Sequence, residues 1–204
     1  MALTLTTPNT LLGAVAPKAD MARLASGIAT VVVGSLFIAL CSKISVPVWP
    51  VPVTLQTLGV AMMAAAFGSR FAVATMLAYI AEGLLGLPVF SAGGGMQSLM
   101  SPAFGFIVGF LPMAYVVGRA ADQGLSRQVL QLVAMMLLGD AVCLAVGFTW
   151  LAAFLGVSTG QGFVAMLAPA FDKGVKLFIL WDALKMAFAA ISVVGVWTLV
   201  PKQR

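Results

Sequence analysis

The chain has 204 residues, of which 62% are hydrophobic and 8% charged, and its mean hydropathy is +1.10. Soluble domains carry about 25% charged residues, so this composition excludes a water-soluble fold and predicts one integral membrane domain. The net charge of +5 comes from eleven Lys and Arg scattered singly, a pattern that excludes a nucleic-acid surface. The chain has no histidine, the commonest metal ligand and general base, and no Gly-x-x-x-x-Gly-Lys-Ser/Thr loop, which excludes ATP hydrolysis through a P-loop. Cys41 and Cys143 lie alone inside apolar runs and read as small buried residues rather than a disulfide or metal site.

Residues 1–23 are mixed and Thr-rich, with Pro8, Pro17, Lys18, Asp20 and Arg23. Positive charge follows the weakly apolar stretch instead of preceding it, so a tail is expected rather than a cleaved signal peptide. A first span is predicted from Leu24 to Ile44. Ala25, Ala29, Gly34, Ser35 and Ala39 stud it with small residues, spaced so that another helix can approach closely; packing inside the protein or docking of a partner would both use such a face. Pro47, Pro50 and Pro52 then forbid a helix and favour a stiff extended segment, in which Trp49 is a candidate interface anchor. Leu55–Phe67 reads as a short second span of ~20 Å, with Gln56 at its outer end.

Gly68-Ser69-Arg70 predicts a tight turn. The third span, Phe71 to Leu87, carries Tyr79 and Glu82, and Gly86-Leu-Pro88 breaks it. A chargeless loop follows, in which Gly93, Gly94 and Gly95 are expected to take positive φ and offer their N–H groups to a small molecule. Its Phe90, Met96, Leu99 and Met100 predict packing rather than a loose connector. The fourth span runs from Ala103 to Val117, flanked by Arg119, Asp122 and Arg127. The fifth, Val129 to Leu151, holds Asp140, either a polar contact between helices or a ligand group. Residues 156–174 form a longer loop, whose middle (162–171) is expected to be a short interfacial helix.

The sixth span, Leu177 to Val200, carries two charges. One charge at the centre of a membrane helix costs ~2.5–3.5 kcal/mol on insertion scales, yet Asp182 and Lys185 stand three apart, on one helix face. They form either a simple ion pair or a ligand site. With six spans both termini share a side. Placing them inside puts Lys18, Arg23, Arg70, Arg119, Arg127, Lys202 and Arg204 in the cytoplasm and only Lys43, Lys173 and Lys176 outside, as the positive-inside rule prefers. The expectation is an all-α bundle of six transmembrane helices over 24–200, with cytoplasmic tails 1–23 and 201–204. Its pocket would lie in the outer half, roofed by the proline and glycine loops. Asp182 would lie ~9 Å below the outer end of its helix.

The strings Pro50-Val-Pro-Val-Thr-Leu-Gln-Thr57, Gly86-Leu-Pro-Val-Phe90, Gly93–Gly95 and Trp181-Asp-Ala-Leu-Lys-Met-Ala-Phe-Ala-Ala190 resemble the BioY family. These are biotin-binding substrate components of energy-coupling-factor vitamin transporters. The resemblance implies a multi-pass protein of a prokaryotic inner (plasma) membrane that captures biotin from outside. It also implies partnership with a transmembrane subunit and two ATP-binding cassette subunits, although members without these partners occur. Asp182 and Lys185 match the family's Asp-x-x-Lys motif, which contacts the vitamin. The small-residue face of the first span matches its docking surface.

Chemically, Asp182 can accept from ureido N–H groups and Lys185 can donate to the ureido carbonyl. Phe90, Met96, Trp49 and Trp181 are candidates to cover the apolar ring, with Gln56, Gly94, Gln97, Tyr79 and Glu82 as further candidate contacts. Biotin would be cargo, and neither cofactor nor metal is expected. The alternatives are another vitamin or precursor as cargo, or an intramembrane enzyme using Asp182, Glu82 or Asp140, for which no histidine, serine motif or metal spacing speaks.

Overall fold

The computed structural model describes residues 9–200 apart from 16 and 18. Lys18, Lys202 and Arg204, counted above as cytoplasmic charges, lie outside the described residues. The chain is mostly helical: α1 (Leu11–Val15), α2 (Asp20–Lys43), α3 (Gln56–Phe67), α4 (Ser69–Leu84), α5 (Phe104–Asp122), α6 (Val129–Thr159), α7 (Leu167–Gly174) and α8 (Lys176–Leu199). Among the described residues four helices, α2, α5, α6 and α8, are long and apolar enough to cross a membrane. The expected second and third spans are the shorter α3 and α4.

Boundaries move where a local signal was outweighed. α1 and the first turn of α2 fall in the stretch read as a tail. Leu11 packs on the core, and Asn9 donates to the Asp122 carbonyl at 3.1 Å. α5 continues past Val117 to Asp122, so Arg119 and Asp122 belong to the helix and not to a flank. α6 is eight residues longer than expected. It stops at Gly160, which takes φ +72° in the left-handed region that ends many helices.

The proline segment is a small hairpin in which β1 (Ser45–Val46) pairs antiparallel with β2 (Val53–Thr54). Thr54 Oγ1 accepts from the Gln56 N–H at 3.2 Å and starts α3. Gly68, at φ +82°, makes the sharp turn into α4.

The buried core is built from α3, α4, α5, α6 and α8, with Tyr79, Met76, Met113, Met136 and Met186 fully enclosed. A second cluster joins the hairpin tip to α6, α7 and α8 through Val51, Leu151, Ala170 and Phe178. Glycine lets the long helices close up. A side chain at Gly109 would meet the Cys143 backbone, and one at Gly147 would meet the Phe106 ring. The hairpin, the loop after α4 and α7 therefore gather at one end of the bundle. The α3–α4 and α5–α6 turns gather at the other.

Candidate functional site

The polar residues of the hairpin end converge on α8. Asp182 is completely buried, and its Oδ1 accepts from Lys185 Nζ at 2.8 Å and from Thr57 Oγ1 at 2.9 Å. Lys185 Nζ also donates to the Thr54 carbonyl at 2.7 Å and to Thr57 Oγ1 at 3.2 Å. Three N–H groups thus meet three acceptors. These contacts hold β2 and α3 against α8 while Lys185 lines the cleft. Asp182 Oδ2, in contrast, is buried with no hydrogen-bond partner among the described residues. A buried acceptor left unmade costs ~1–3 kcal/mol, so this oxygen awaits a donor.

Beside the pair lies a small cleft of about 40 Å³. Its polar rim is Thr54, Gln56, Thr57 and Ser91 with Asp182 and Lys185. Its apolar wall is Val51, Phe106, Ile107, Phe110, Cys143, Leu144 and Phe178. Phe106 and Phe178 stack with centroids 5.9 Å apart, fixing one wall as a flat aromatic surface. Polar groups converging within an apolar, aromatic cavity are the signature of a small-molecule site.

The predicted residues divide. Asp182, Lys185 and Gln56 are in the cleft. Tyr79 stands behind Gln56: Gln56 Nε2 donates to its hydroxyl at 2.9 Å, and that hydroxyl donates to the Val89 carbonyl at 3.0 Å. Phe90 meets the Tyr79 ring edge-on at 5.4 Å and lies against Gly83, so it supports the site from outside the cleft lining. Glu82 turns away, accepting from Ser35 Oγ at 2.9 Å and tying α4 to α2.

The glycine loop also needs correction. Gly93 and Gly95 take positive φ, but Gly94 does not. The Gly93 N–H donates to the Phe90 carbonyl and the Gly95 N–H to that of Gly83. The loop spends one of these donors on itself and the other on the end of α4. Gly94 is required for a different reason: a side chain there would strike the Leu87 carbonyl. Gln97 folds back to donate to the Gly94 carbonyl at 2.6 Å, at the surface.

The residues expected to cover an apolar ring do not line this cleft. Trp49 is 69% exposed with Lys173 Nζ 4.8 Å over its ring, and Met96 and Trp181 are also exposed. Trp181 lines a separate outward groove with Ile44, Val46, Val53 and Leu177, across the partition made by Thr54 and Lys185. The residues missed are Thr57, Phe106, Ile107, Phe110 and Phe178. Phe178 precedes Asp182 by four residues and Phe106 precedes Phe110 by four, so each pair shares a helix face, but the spacing alone does not say which face meets a cavity.

On α2, Ala25 and Ala29 are exposed and Ala39 is half-buried. Gly34 and Ser35 are buried toward α4 and the end of α3, where Thr75 and Glu82 of α4 and Phe67 of α3 meet them. The five small residues therefore do not form one outward face.

A buried, half-satisfied ion pair under an aromatic cleft, within an apolar helical bundle, defines a small-molecule-binding membrane protein. The chain belongs to the BioY family, whose pattern matches residues 14–202. It is 33% identical over 162 residues to the biotin transporter BioY of Rhizobium etli, covering 76% of this chain and 82% of that one. It is 34% identical over 161 residues to the probable biotin transporter BioY of Pyrococcus horikoshii, covering 77% and 89%. The fold matches the crystal structure of the S-component for biotin from an ECF-type ABC transporter, with a TM-score of 0.73 and 20% identity. That match covers 89% of this chain and 95% of the other.

Proposed function

We propose that this chain takes up biotin, binding it in the cleft above Asp182 and Lys185 and releasing it inward with the help of an energising module. The observation that carries this reading is Asp182 Oδ2, a buried acceptor without a donor facing a cleft with aromatic walls. A ureido N–H supplies the missing donor, and the stacked Phe106 and Phe178 cover the sulfur-containing ring. Lys185 stabilises the carboxylate charge and locks the hairpin to α8. Family membership and the names of the relatives support biotin over another vitamin. The residues of the cleft bind and release; none is set up as an activated nucleophile or a metal ligand. Biotin is cargo, and no cofactor is required.

In this reading α2, α3, α4, α5, α6 and α8 are six spans, with both termini cytoplasmic and the hairpin end outside, in the inner or plasma membrane of a prokaryote. The transmembrane subunit of an ECF module, itself carrying two ATP-binding subunits, docks on the exposed side of α2 at Ala25 and Ala29. Calorimetric titration of the purified protein with biotin tests the ligand: one-to-one binding is expected, and a folded wild type that binds none overturns the reading. Topology is tested separately in intact cells with a membrane-impermeant maleimide. Gln161→Cys is expected to label and Gln123→Cys to stay unlabelled; the reverse pattern inverts the assignment.

A further inference from the structure

Among the described residues three buried side-chain oxygens lack a hydrogen-bond partner: Thr75 Oγ1, Asp182 Oδ2 and Asp140 Oδ1. Thr75 packs against Gly34, at the contact of α4 with α2. Asp140 is different. It is 4% exposed, and it precedes Cys143 and Leu144, which line the cleft, by three and four residues. It therefore occupies the same face of α6, one turn beneath the cleft floor. From α5, the neighbours of the adjoining Gly139 are Met113 and Val117, which offer no side-chain donor. Native structures seldom bury a polar oxygen without a partner.

The two orphaned carboxylate oxygens have a common explanation, which rests on the biotin reading above. A cyclic urea presents two N–H donors, and Asp182 Oδ2 accounts for one. We propose that Asp140 is a second recognition residue for the ureido ring, its Oδ1 accepting the other N–H when the ring seats on the cleft floor. The ring is then held between carboxylates on two neighbouring helices, α6 and α8. A carboxyl oxygen accepts in either protonation state, so the contact needs no titration. The site consequently selects for a urea with both nitrogens unsubstituted.

The test compares biotin with two analogues, each methylated on one ureido nitrogen. Binding of biotin by the wild type is the control for the underlying reading; if it is absent, that reading fails. If it is present, the variants judge Asp140 alone. Asp140→Val is expected to weaken biotin about 10- to 100-fold and to leave unchanged the affinity for the analogue that lacks the N–H Asp140 receives. Equal weakening of biotin and both analogues, or undiminished biotin affinity, overturns the proposal. Should the Val variant fail to fold, the isosteric Asp140→Asn decides by difference infrared spectroscopy of biotin binding. The wild-type spectrum is expected to contain a carboxyl band that the Asn variant lacks. Identical spectra overturn the proposal.

Discussion

The two ends of the bundle hold similar polar inventories and use them differently. At the α3–α4 turn, Asp122 accepts from the backbone N–H and hydroxyl of Ser69, and Asn9 donates to its carbonyl. Close by, Trp197 Nε1 donates to Ser126 Oγ at 3.1 Å while Arg127 lies 4.4 Å over the Trp197 ring. These contacts join α4 to α5, and α8 to the α5–α6 turn, across short connections. At the hairpin end, Lys185, Thr54 and Thr57 satisfy one oxygen of Asp182 and leave the other exposed to a cleft. Closed polar clusters hold helices together; the one with an unpartnered oxygen is where the proposed function places the ligand.

That contrast is testable by breaking each end in turn. The largest effect is expected for Lys185→Ala. Removing one partner of a buried pair costs ~3–5 kcal/mol, so calorimetry should show biotin affinity falling more than about a hundredfold, with a lower Tm. Asp182→Asn should weaken biotin about 10- to 100-fold, the worth of a hydrogen bond to a charged group, with the fold retained by circular dichroism. Thr57→Val removes one neutral hydroxyl and should cost ~1 kcal/mol, about fivefold in Kd. Smallest of all for binding is Ser69→Ala, which should lower unfolding stability by ~1.5–3 kcal/mol, the worth of a hydrogen bond to a charged group, while calorimetry finds biotin affinity unchanged. A Ser69→Ala variant that loses affinity while Thr57→Val keeps it would dissolve the distinction between the two ends.

The pair on α8 was legible in sequence because charges are rare and costly at membrane depth, so Asp182 and Lys185 announced themselves. Gln56 was legible because the prolines before it and the apolar run after it fix it at a helix start. Glu82 misled for a reason of register. Three residues on a helix leave two side chains about 60° apart, enough for Tyr79 to look inward and Glu82 to meet Ser35 on α2. The same geometry split the small residues of α2 between an outward and an inward face. The cleft wall was hardest to read, since Phe106, Phe110 and Phe178 sit among 13 phenylalanines and only packing decides which of them face a cavity. Asp140 left both readings open. Its burial shows, but the absence of a partner can be seen only once the neighbouring helices are in place.

α3 has 12 residues, a length of ~18 Å at 1.5 Å per residue, against a hydrocarbon layer of ~30 Å. Thr57, which belongs to the ion-pair cluster, is its second residue. The cleft floor thus begins where α3 begins, and only the length of that one short helix separates it from the opposite end of the bundle. With the hairpin end outward, as the proposed topology has it, a ligand seated in the proposed cleft would lie part of the way across the membrane, with the ~18 Å of α3 still between it and the far side.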